Sequence, residues 1–270
     1  MTMWTTRTLG VGAGVLAAVA TPAHGSDDWA SPSATTDEGP SMTMPDRYTE
    51  PHAESSVLLT IDTHVDFTSP DGAATIDGTQ AVVPAIAEVA AAHRCAGRPI
   101  VHVIRLYRQD GSNVDLCRRG VVELGGSIVA PASPRSQIVP EILGRPTELD
   151  HELLLAGELQ PVGDDEYIMY KPRWGAFYQT ALHDRLVDWQ VDTVALAGCN
   201  FPNCPRTTLY EASERDLRIV LIADAVSGIY DRGVEELRRI GAHVTTASSW
   251  SERLSVQAPV ASDASPAQSA

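Results

Sequence analysis

Six short apolar runs, separated by stretches with helical periodicity, dominate the hydrophobic pattern of the chain. A short apolar run bounded by turn residues is typical of a buried parallel strand, and apolar residues three and four apart predict an amphipathic helix. We predict strands at residues 57–61, 100–106, 166–170, 192–197, 217–223 and 242–246, and helices at 81–96, 148–156, 178–189, 205–215 and 231–240. This alternation predicts an α/β fold, a Rossmann-like three-layer sandwich with about six mostly parallel strands and helices on both faces.

The two ends of the chain lack this pattern. Residues 1–25 resemble a secretory signal peptide, and residues 26–50 are mostly Ser, Thr, Asp, Pro and Glu. Alternatively, Met42 or Met44 is the start of a cytoplasmic enzyme. We favour that interpretation because a catalytic thiolate survives better in reducing surroundings. We expect a disordered arm up to residue 50, one domain over residues 51–252 and a disordered tail over residues 253–270.

Composition narrows the classes of partner. The 35 acidic and 20 basic residues give a net charge of −15, which disfavours binding to nucleic acid or to an anionic membrane. We therefore expect a small-molecule substrate. The four cysteines are Cys95, Cys117, Cys199 and Cys204, and they form no C-x-x-C pair. Their spacing disfavours a zinc site and a disulfide framework.

Cys204 lies between a predicted strand and the predicted helix that follows it. Pro205 follows it, and proline is favoured at the first helical position because its missing N–H has no partner there to lose. Free N–H groups and the positive end of the helix dipole predict a lowered thiol pKa and a reactive nucleophile. The same N–H groups can hold an oxyanion. The alternative interpretation is that Cys204 is a small buried side chain.

Two further polar residues end predicted strands. Asp62 follows the first strand and Lys171, the only lysine, follows the third. The carboxyl ends of parallel strands meet at one edge of the sheet, where ligands bind. There Asp62 can take the thiol proton and return it to a leaving amine, while Lys171 keeps both groups charged. The alternatives are a turn-forming aspartate and a solvated lysine.

Four motifs carry a resemblance to the isochorismatase-like cysteine hydrolase superfamily, which includes nicotinamidases, N-carbamoylsarcosine amidases and ureidoacrylate amidases. The motifs are LLTIDTHVDF, KPRWGAFYQTAL, AGCNFPNCPRTTLYEASERD and IADAVSG. The resemblance implies a catalytic triad of Asp62, Lys171 and Cys204 that hydrolyses a small amide or ureide C–N bond through a thioester. It also implies a cis peptide bond before Asn200, an oxyanion hole from the N–H groups of Asn200 and Cys204, and a homodimer or homotetramer.

The sequence departs from the superfamily pattern around the pocket. His64 stands where glutamine is frequent, and Phe201 and Pro202 stand where threonine and then Asp or Asn are frequent. Nicotinamidases carry an Asp-x-His metal site after the second strand, but residues 105–142 contain no histidine. We therefore expect no metal and no cofactor. Two alternatives stay open: vinyl-ether hydrolysis of the isochorismatase kind, which need not use the cysteine, and a catalytically idle binding member.

Several side chains near these motifs are candidate substrate contacts. They are His64, Asp66, Arg118, Trp174, Phe177 and Phe201. Arg118 lies in residues 107–163, a long segment typical of a lid, and its guanidinium can grip a carboxylate in a bidentate fork. His64 can tune Asp62, and Asp66 can support the site or cap a turn. Packing is the alternative role of the aromatic residues.

Overall fold

A parallel sheet forms the centre of the computed structural model, which describes residues 46–256. The strands of this region are β1 (Ser56–Ile61), β2 (Ile100–Ile104), β3 (Gln160–Gly163), β4 (Glu166–Tyr170), β5 (Thr193–Gly198), β6 (Arg218–Val226) and β7 (His243–Thr245). They lie in the order β3-β4-β2-β1-β5-β6-β7, and every neighbouring pair is parallel except β3 and β4. The α/β fold class is confirmed, with one strand more than predicted. The predicted signal peptide or internal start, the predicted arm up to residue 45 and the predicted tail from residue 257 lie outside the described residues.

The additional strand, β3, is a short edge strand that pairs antiparallel with β4. Gln160 lies opposite Ile168 and Pro161 opposite Tyr167, and the pairing shifts register before Gly163. Proline is tolerated at a sheet edge because an edge strand has one side with no ladder partner for its N–H. A four-residue strand that contains proline and glycine has no apolar run, so the hydrophobic pattern missed it.

Helices connect the strands. Among residues 46–256 they are α1 (Val65–Thr68), α2 (Thr79–Cys95), α3 (Leu116–Glu123), α4 (Pro140–Leu143), α5 (His151–Leu155), α6 (Leu182–Asp188), α7 (Cys204–Ser213), α8 (Asp231–Arg238) and α9 (Ala247–Val256). The five predicted helices correspond to α2, α5, α6, α7 and α8, whereas α1, α3, α4 and α9 were not predicted. No helix in this part of the chain has the length and apolarity needed to cross a membrane.

Helix α9 corrects the predicted domain boundary at residue 252. It continues to Val256 because Trp250 and Leu254 are buried in the core against α2. Arg253 also donates a hydrogen bond of 2.7 Å to the Glu50 carboxylate. The polar residues around these two apolar anchors hid the helix, and the ion pair ties together two positions predicted to be disordered.

Strand β1 shows why the strands appear as unbroken apolar runs. Its residues alternate between the two faces of the sheet, yet all of them are buried. Leu58 packs in the layer that contains α2 and α9, whereas Leu59 and Ile61 pack in the layer that contains α6, α7 and α8. Helices therefore cover both faces, as the three-layer prediction requires.

The side of the sheet to which successive strands are added changes at β1. From β1 the chain adds β2 and β4 on one side, and it then adds β5, β6 and β7 on the other. Connections therefore leave the carboxyl ends of β1 and β5 in opposite directions, and a crevice opens between them. Ligands bind in such crevices in open α/β sheets.

Candidate active site

Asp62, Lys171 and Cys204 meet at the carboxyl edge of the sheet. Asp62 leaves β1 with a φ of 51°, a left-handed conformation that aspartate tolerates better than most residues. Lys171 directly follows β4, and Cys204 opens α7 after β5. The Lys171 Nζ lies 2.7 Å from the Asp62 Oδ2 and 3.3 Å from the Cys204 Sγ. All three side chains are buried.

The loop between β5 and α7 is fastened closely to the end of β1. Gly198 has a φ of +121°, and a Cβ there would lie 2.3 Å from the Ile61 carbonyl oxygen, so only glycine allows this approach. The Cys199 thiol donates a hydrogen bond of 3.0 Å to the Asp62 carbonyl. The peptide bond between Cys199 and Asn200 is cis, as the resemblance implied. These contacts bring the start of α7 beside Asp62.

Two backbone N–H groups of this loop match the predicted oxyanion hole in their availability. Within residues 46–256, neither the Asn200 N–H nor the Cys204 N–H donates a hydrogen bond to a protein group. The adjacent Phe201 and Asn203 N–H groups donate to the carbonyls of Ser227 and Asn200. The N–H groups of Asn200 and Cys204 can therefore donate to an anionic oxygen, as the first turn of a helix does.

The thiol of the resting site is protonated at neutral pH. Burial and the Asp62 carboxylate raise the pKa of Cys204 to about 11, against the opposing effect of Lys171 and Arg105. The sequence-based prediction of a lowered thiol pKa is therefore wrong: removal from water and a nearby negative charge outweigh the helix terminus. For Asp62, burial acts to raise the pKa, but Lys171 and Arg105 outweigh it and hold the pKa below its ordinary value.

His64 and Asp66 are predicted to contact substrate, but protein groups occupy their polar side-chain atoms in the structure. The Nδ1 of His64 donates to the Ser136 carbonyl at 2.6 Å, and its Nε2 accepts from the Arg105 N–H at 3.1 Å. Burial, opposed by the Asp62 carboxylate, lowers the pKa of His64 to about 4, so the ring is neutral. Both ring nitrogens are therefore occupied, and the predicted substrate contact of His64 is corrected to a structural one.

The Asp66 carboxylate is likewise occupied. One oxygen accepts from the Val129 N–H at 2.6 Å and the other from the Ala73 N–H at 3.1 Å. Of the two roles left open for Asp66, a supporting one and a capping one, the structure favours holding backbone in place. Together, His64 and Asp66 fasten the segment of residues 107–163 to the end of β1.

Phe177 and Phe201 belong to the core. Both are buried in the layer with α6, α7 and α8. The Phe201 ring packs edge-on against Tyr230, with ring centroids 5.4 Å apart. Gly233 leaves the space for this ring, since a Cβ there would lie 2.5 Å from it. This burial supports packing, the commoner role of a buried aromatic residue, and their contact with substrate stays a prediction.

Arg118 and Trp174 lie together beside an arginine that the pattern analysis missed. Arg105, just after β2, is 2% exposed, and its guanidinium lies 5.4 Å from the centre of the Trp174 ring. The Arg118 guanidinium lies 5.9 Å from the same ring. A charged residue at the end of a buried apolar run needs a partner or a function, and that was the available signal for Arg105.

Metal binding finds no support in the described part of the chain. Residues 46–256 contain no group of three or more His, Cys, Asp or Glu side chains arranged to hold a metal ion. These residues do not fit the metal site that the resemblance attaches to nicotinamidases.

Comparisons with known proteins agree with this architecture. A family model described as an isochorismatase domain matches residues 56–249. The chain is 28% identical over 205 residues to an Arabidopsis thaliana protein named "probable inactive nicotinamidase", covering 74% of this chain and 96% of that one. It is also 28% identical over 212 residues to a ureidoacrylate amidohydrolase of Methylobacterium radiotolerans, covering 73% and 75% of the two chains.

A solved structure repeats the fold. An isochorismatase family protein of Desulfovibrio vulgaris superposes with a TM-score of 0.64 at 27% identity, covering 74% of this chain and 98% of that one. The residues matched by the family model, 56–249, contain all seven strands of the described region. The chain therefore belongs to the isochorismatase family of hydrolases, which includes amidohydrolases.

Proposed function

We propose that this protein is a cysteine-dependent hydrolase of a small amide or ureide C–N bond, acting through a thioester. Asp62, Lys171 and Cys204 are its proposed catalytic residues. A metal takes no part in this proposal, because the three side chains supply a nucleophile, a proton carrier and a fixed positive charge.

The observation that carries the proposal is the position of the Lys171 ammonium. Its three donors have three acceptors: the Asp62 carboxylate at 2.7 Å, the Cys204 sulfur at 3.3 Å and the Arg173 carbonyl at 3.3 Å. A lysine that is 0% exposed costs free energy unless its charge is paired. Here one carboxylate oxygen is used for that pairing. The other, the Asp62 Oδ1, is buried without a hydrogen-bond partner among residues 46–256.

The free Asp62 oxygen supports a proton-carrying role in the first half of the reaction. As the Cys204 sulfur attacks the carbonyl carbon, its proton passes to Asp62, and the carbonyl oxygen becomes an oxyanion bound by the N–H groups of Asn200 and Cys204. Asp62 then gives the proton to the leaving nitrogen. The C–N bond breaks, the amine or ammonia departs, and a thioester remains on Cys204.

The second half repeats the same transfers with water. Asp62 takes a proton from a water molecule while the oxygen of that water attacks the thioester carbon. When the C–S bond breaks, the proton returns to the sulfur and the acid product leaves. The raised pKa of Cys204 agrees with this sequence because the thiol starts and ends each cycle protonated.

A catalytically idle binding member of the family is the second candidate. The observation that favours it is the likeness to the Arabidopsis protein, whose name calls it inactive. The complete Asp62–Lys171–Cys204 contact set supports the hydrolase over this alternative. Vinyl-ether hydrolysis would proceed without the cysteine, so a vinyl ether turned over equally by wild type and by Cys204→Ala would favour that alternative.

The test is release of ammonia and acid from a panel of small amides and ureides by the wild type and by Cys204→Ala. Cys95→Ala is the matched control, because it removes an exposed thiol outside the site. We expect turnover that Cys95→Ala retains and Cys204→Ala loses by a factor of about 10⁴ or more. Turnover that survives in Cys204→Ala contradicts the thioester. Absence of turnover across the panel favours the idle member.

A further inference from the structure

Arg105 has a buried donor with no acceptor. Its Nη1 forms an ion pair with the Asp115 carboxylate and lies 3.4 Å from the Tyr107 hydroxyl. Its Nη2 is buried and has no hydrogen-bond partner among residues 46–256. An unpaired buried donor costs free energy, and a charged one costs more. The structure therefore keeps one half of this guanidinium fork unused at the carboxyl edge of the sheet.

Arg118 brings a second guanidinium to the same place from α3. Its Nη1 donates to the Tyr107 hydroxyl at 3.2 Å, and its guanidinium lies 5.1 Å from the centre of the Phe67 ring. Within residues 46–256 it forms no ion pair with a carboxylate, unlike Arg105. Arginine packed on aromatic rings keeps its N–H edge available for a planar anion.

Both arginines lie against the same two aromatic rings. Their guanidinium carbons are 5.6 and 5.9 Å from the centre of the Tyr107 ring and 5.4 and 5.9 Å from that of Trp174. Trp174 is only three residues beyond Lys171. The Asp62 carboxylate acts to raise the pKa of each arginine, against burial, which acts to lower it. The fixed positive charge therefore lies close to the Asp62 end of the triad.

This local charge opposes the charge of the whole protein. The chain carries a net charge of −15, which repels anions at long range, so an anionic substrate needs local cations to bind. Two guanidinium groups that share their aromatic neighbours also repel each other, and a bound anion relieves that repulsion. A carboxylate fits the geometry of the guanidinium edge in a bidentate pair.

We propose that the substrate is an amide acid: a small amide or ureide whose far end carries a carboxylate, held by the free Nη2 of Arg105 and by Arg118. This inference rests on the proposed function, because it uses Cys204 as the attacking group. It assigns Arg105 and Arg118 as specificity-determining residues, and it makes the neutral amide of equal size a poor substrate.

Iodoacetate and iodoacetamide test the clamp without knowledge of the substrate. The two reagents have nearly the same size, and only the first carries a carboxylate. The readout is the ratio of their rates at Cys204, measured by mass spectrometry of the full chain in wild type, Arg118→Gln and Arg105→Lys. The last variant keeps the charge that faces Asp115 but removes the free Nη2. Arg108→Gln is the matched control, since Arg108 is exposed and the change in net charge is the same.

We expect the iodoacetate-to-iodoacetamide ratio to fall by about tenfold in Arg118→Gln and in Arg105→Lys, the loss of one charge-assisted contact, and to stay unchanged in Arg108→Gln. A ratio within twofold of wild type in both site variants would overturn the clamp. So would an equal fall in Arg108→Gln, which would show that only overall charge matters.

A binding experiment separates failure of the clamp from failure of the proposed nucleophile. In Cys204→Ala, succinamic acid should raise the midpoint of thermal unfolding, succinamide of equal size should not, and Arg118→Gln in the same background should abolish the shift. If Cys204→Ala turns over the amide panel as fast as wild type, the proposed function fails and this shift alone decides the clamp. Equal shifts with the acid and the amide overturn it.

Discussion

Two buried clusters of charged side chains lie in the same sheet, and they differ in how completely their hydrogen bonds are made. In the first, the Glu166 cluster, Glu166 accepts from Arg94 at 2.6 and 3.0 Å and from the His102 Nε2 at 2.8 Å, and the other ring nitrogen of His102 lies 2.7 Å from the Thr60 hydroxyl. None of these residues has a buried side-chain polar atom without a partner.

The second cluster, at the carboxyl edge, is left open. Asp62, Arg105 and Asp115 each have a buried side-chain atom that lacks a hydrogen-bond partner within residues 46–256. Both clusters contain a carboxylate with a cation beside it, so the presence of an ion pair does not separate structure from function. Between these two clusters the difference lies in the unmade hydrogen bonds, and a buried polar group without a partner lowers stability unless a ligand supplies the partner.

Among the changes that test this comparison, Asp62→Asn should have the largest effect. Removing the proton carrier should lower turnover by a factor of about 10³, within the usual contribution of general acid–base catalysis. Because the Asp62 charge raises the pKa of Cys204, which is about 11, the midpoint of Cys204 alkylation against pH should shift downward at the same time. Alkylation profiles of both proteins measure this shift.

The control for Asp62→Asn is Asp66→Asn, four residues further along. The Asp66 oxygens accept from two backbone N–H groups, so this change should reduce stability and leave the alkylation midpoint in place. An unchanged or higher midpoint in Asp62→Asn would contradict the placement of its charge against the thiol.

Glu166→Gln tests the closed cluster. Removing one partner of a buried ion pair leaves the other charge uncompensated, so we expect a loss of about 3 kcal/mol in the free energy of unfolding, measured in urea. Turnover per folded molecule should stay within about twofold of wild type. A large loss of turnover at full stability would mean that this cluster serves the chemistry too.

Acidification should lower the free energy of unfolding in two stages. Burial lowers the pKa of His64 to about 4 and of His93 to about 3. Each histidine makes its full contribution to the free energy of unfolding above its ordinary pKa of 6.5. That contribution is lost as the pH falls below 6.5, by about 1.4 kcal/mol per pH unit for each proton.

Glu166 adds the second stage. Burial opposes its charge, but Arg94 and His102 outweigh burial and lower its pKa to about 2. Its contribution is present above its ordinary value of 4.5 and is lost from there towards 2. Unfolding free energies measured from pH 7 to 3 should show both stages in wild type, and a smaller loss below pH 4.5 in Glu166→Gln. A flat profile from pH 6.5 to 4.5 would contradict the buried neutral histidines.

Glu50→Gln should have the smallest effect. Its carboxylate pairs with Arg253 at 2.7 Å, but both side chains are partly exposed. Water screens such a pair, so the change should lower the free energy of unfolding by less than about 1 kcal/mol. A loss as large as that of Glu166→Gln would show that the link between Glu50 and α9 is stronger than an exposed ion pair.

Much of the fold was predictable because buried parallel strands need apolar residues on both faces. β1, β4 and β5 therefore stood out as unbroken runs, and polar residues at their ends marked the edge where Asp62 and Lys171 lie. The hydrophobic pattern failed where burial does not require an apolar run. β3 pairs at a sheet edge, and α9 is held by Trp250 and Leu254 among polar neighbours.

Side-chain roles were less predictable because the partner of a polar group is chosen by residues far away in sequence. The strand-to-helix position of Cys204 follows from local pattern, whereas the order of the strands in the sheet does not. That His64 binds Ser136, that Asp66 binds Val129, and that Arg105 keeps a free donor depend on contacts across the segment of residues 107–163. The sequence by itself determined six of the seven strands of residues 46–256 and the reactive groups that end them. The tertiary structure decided which of those groups are occupied by the protein and which stay free for a ligand.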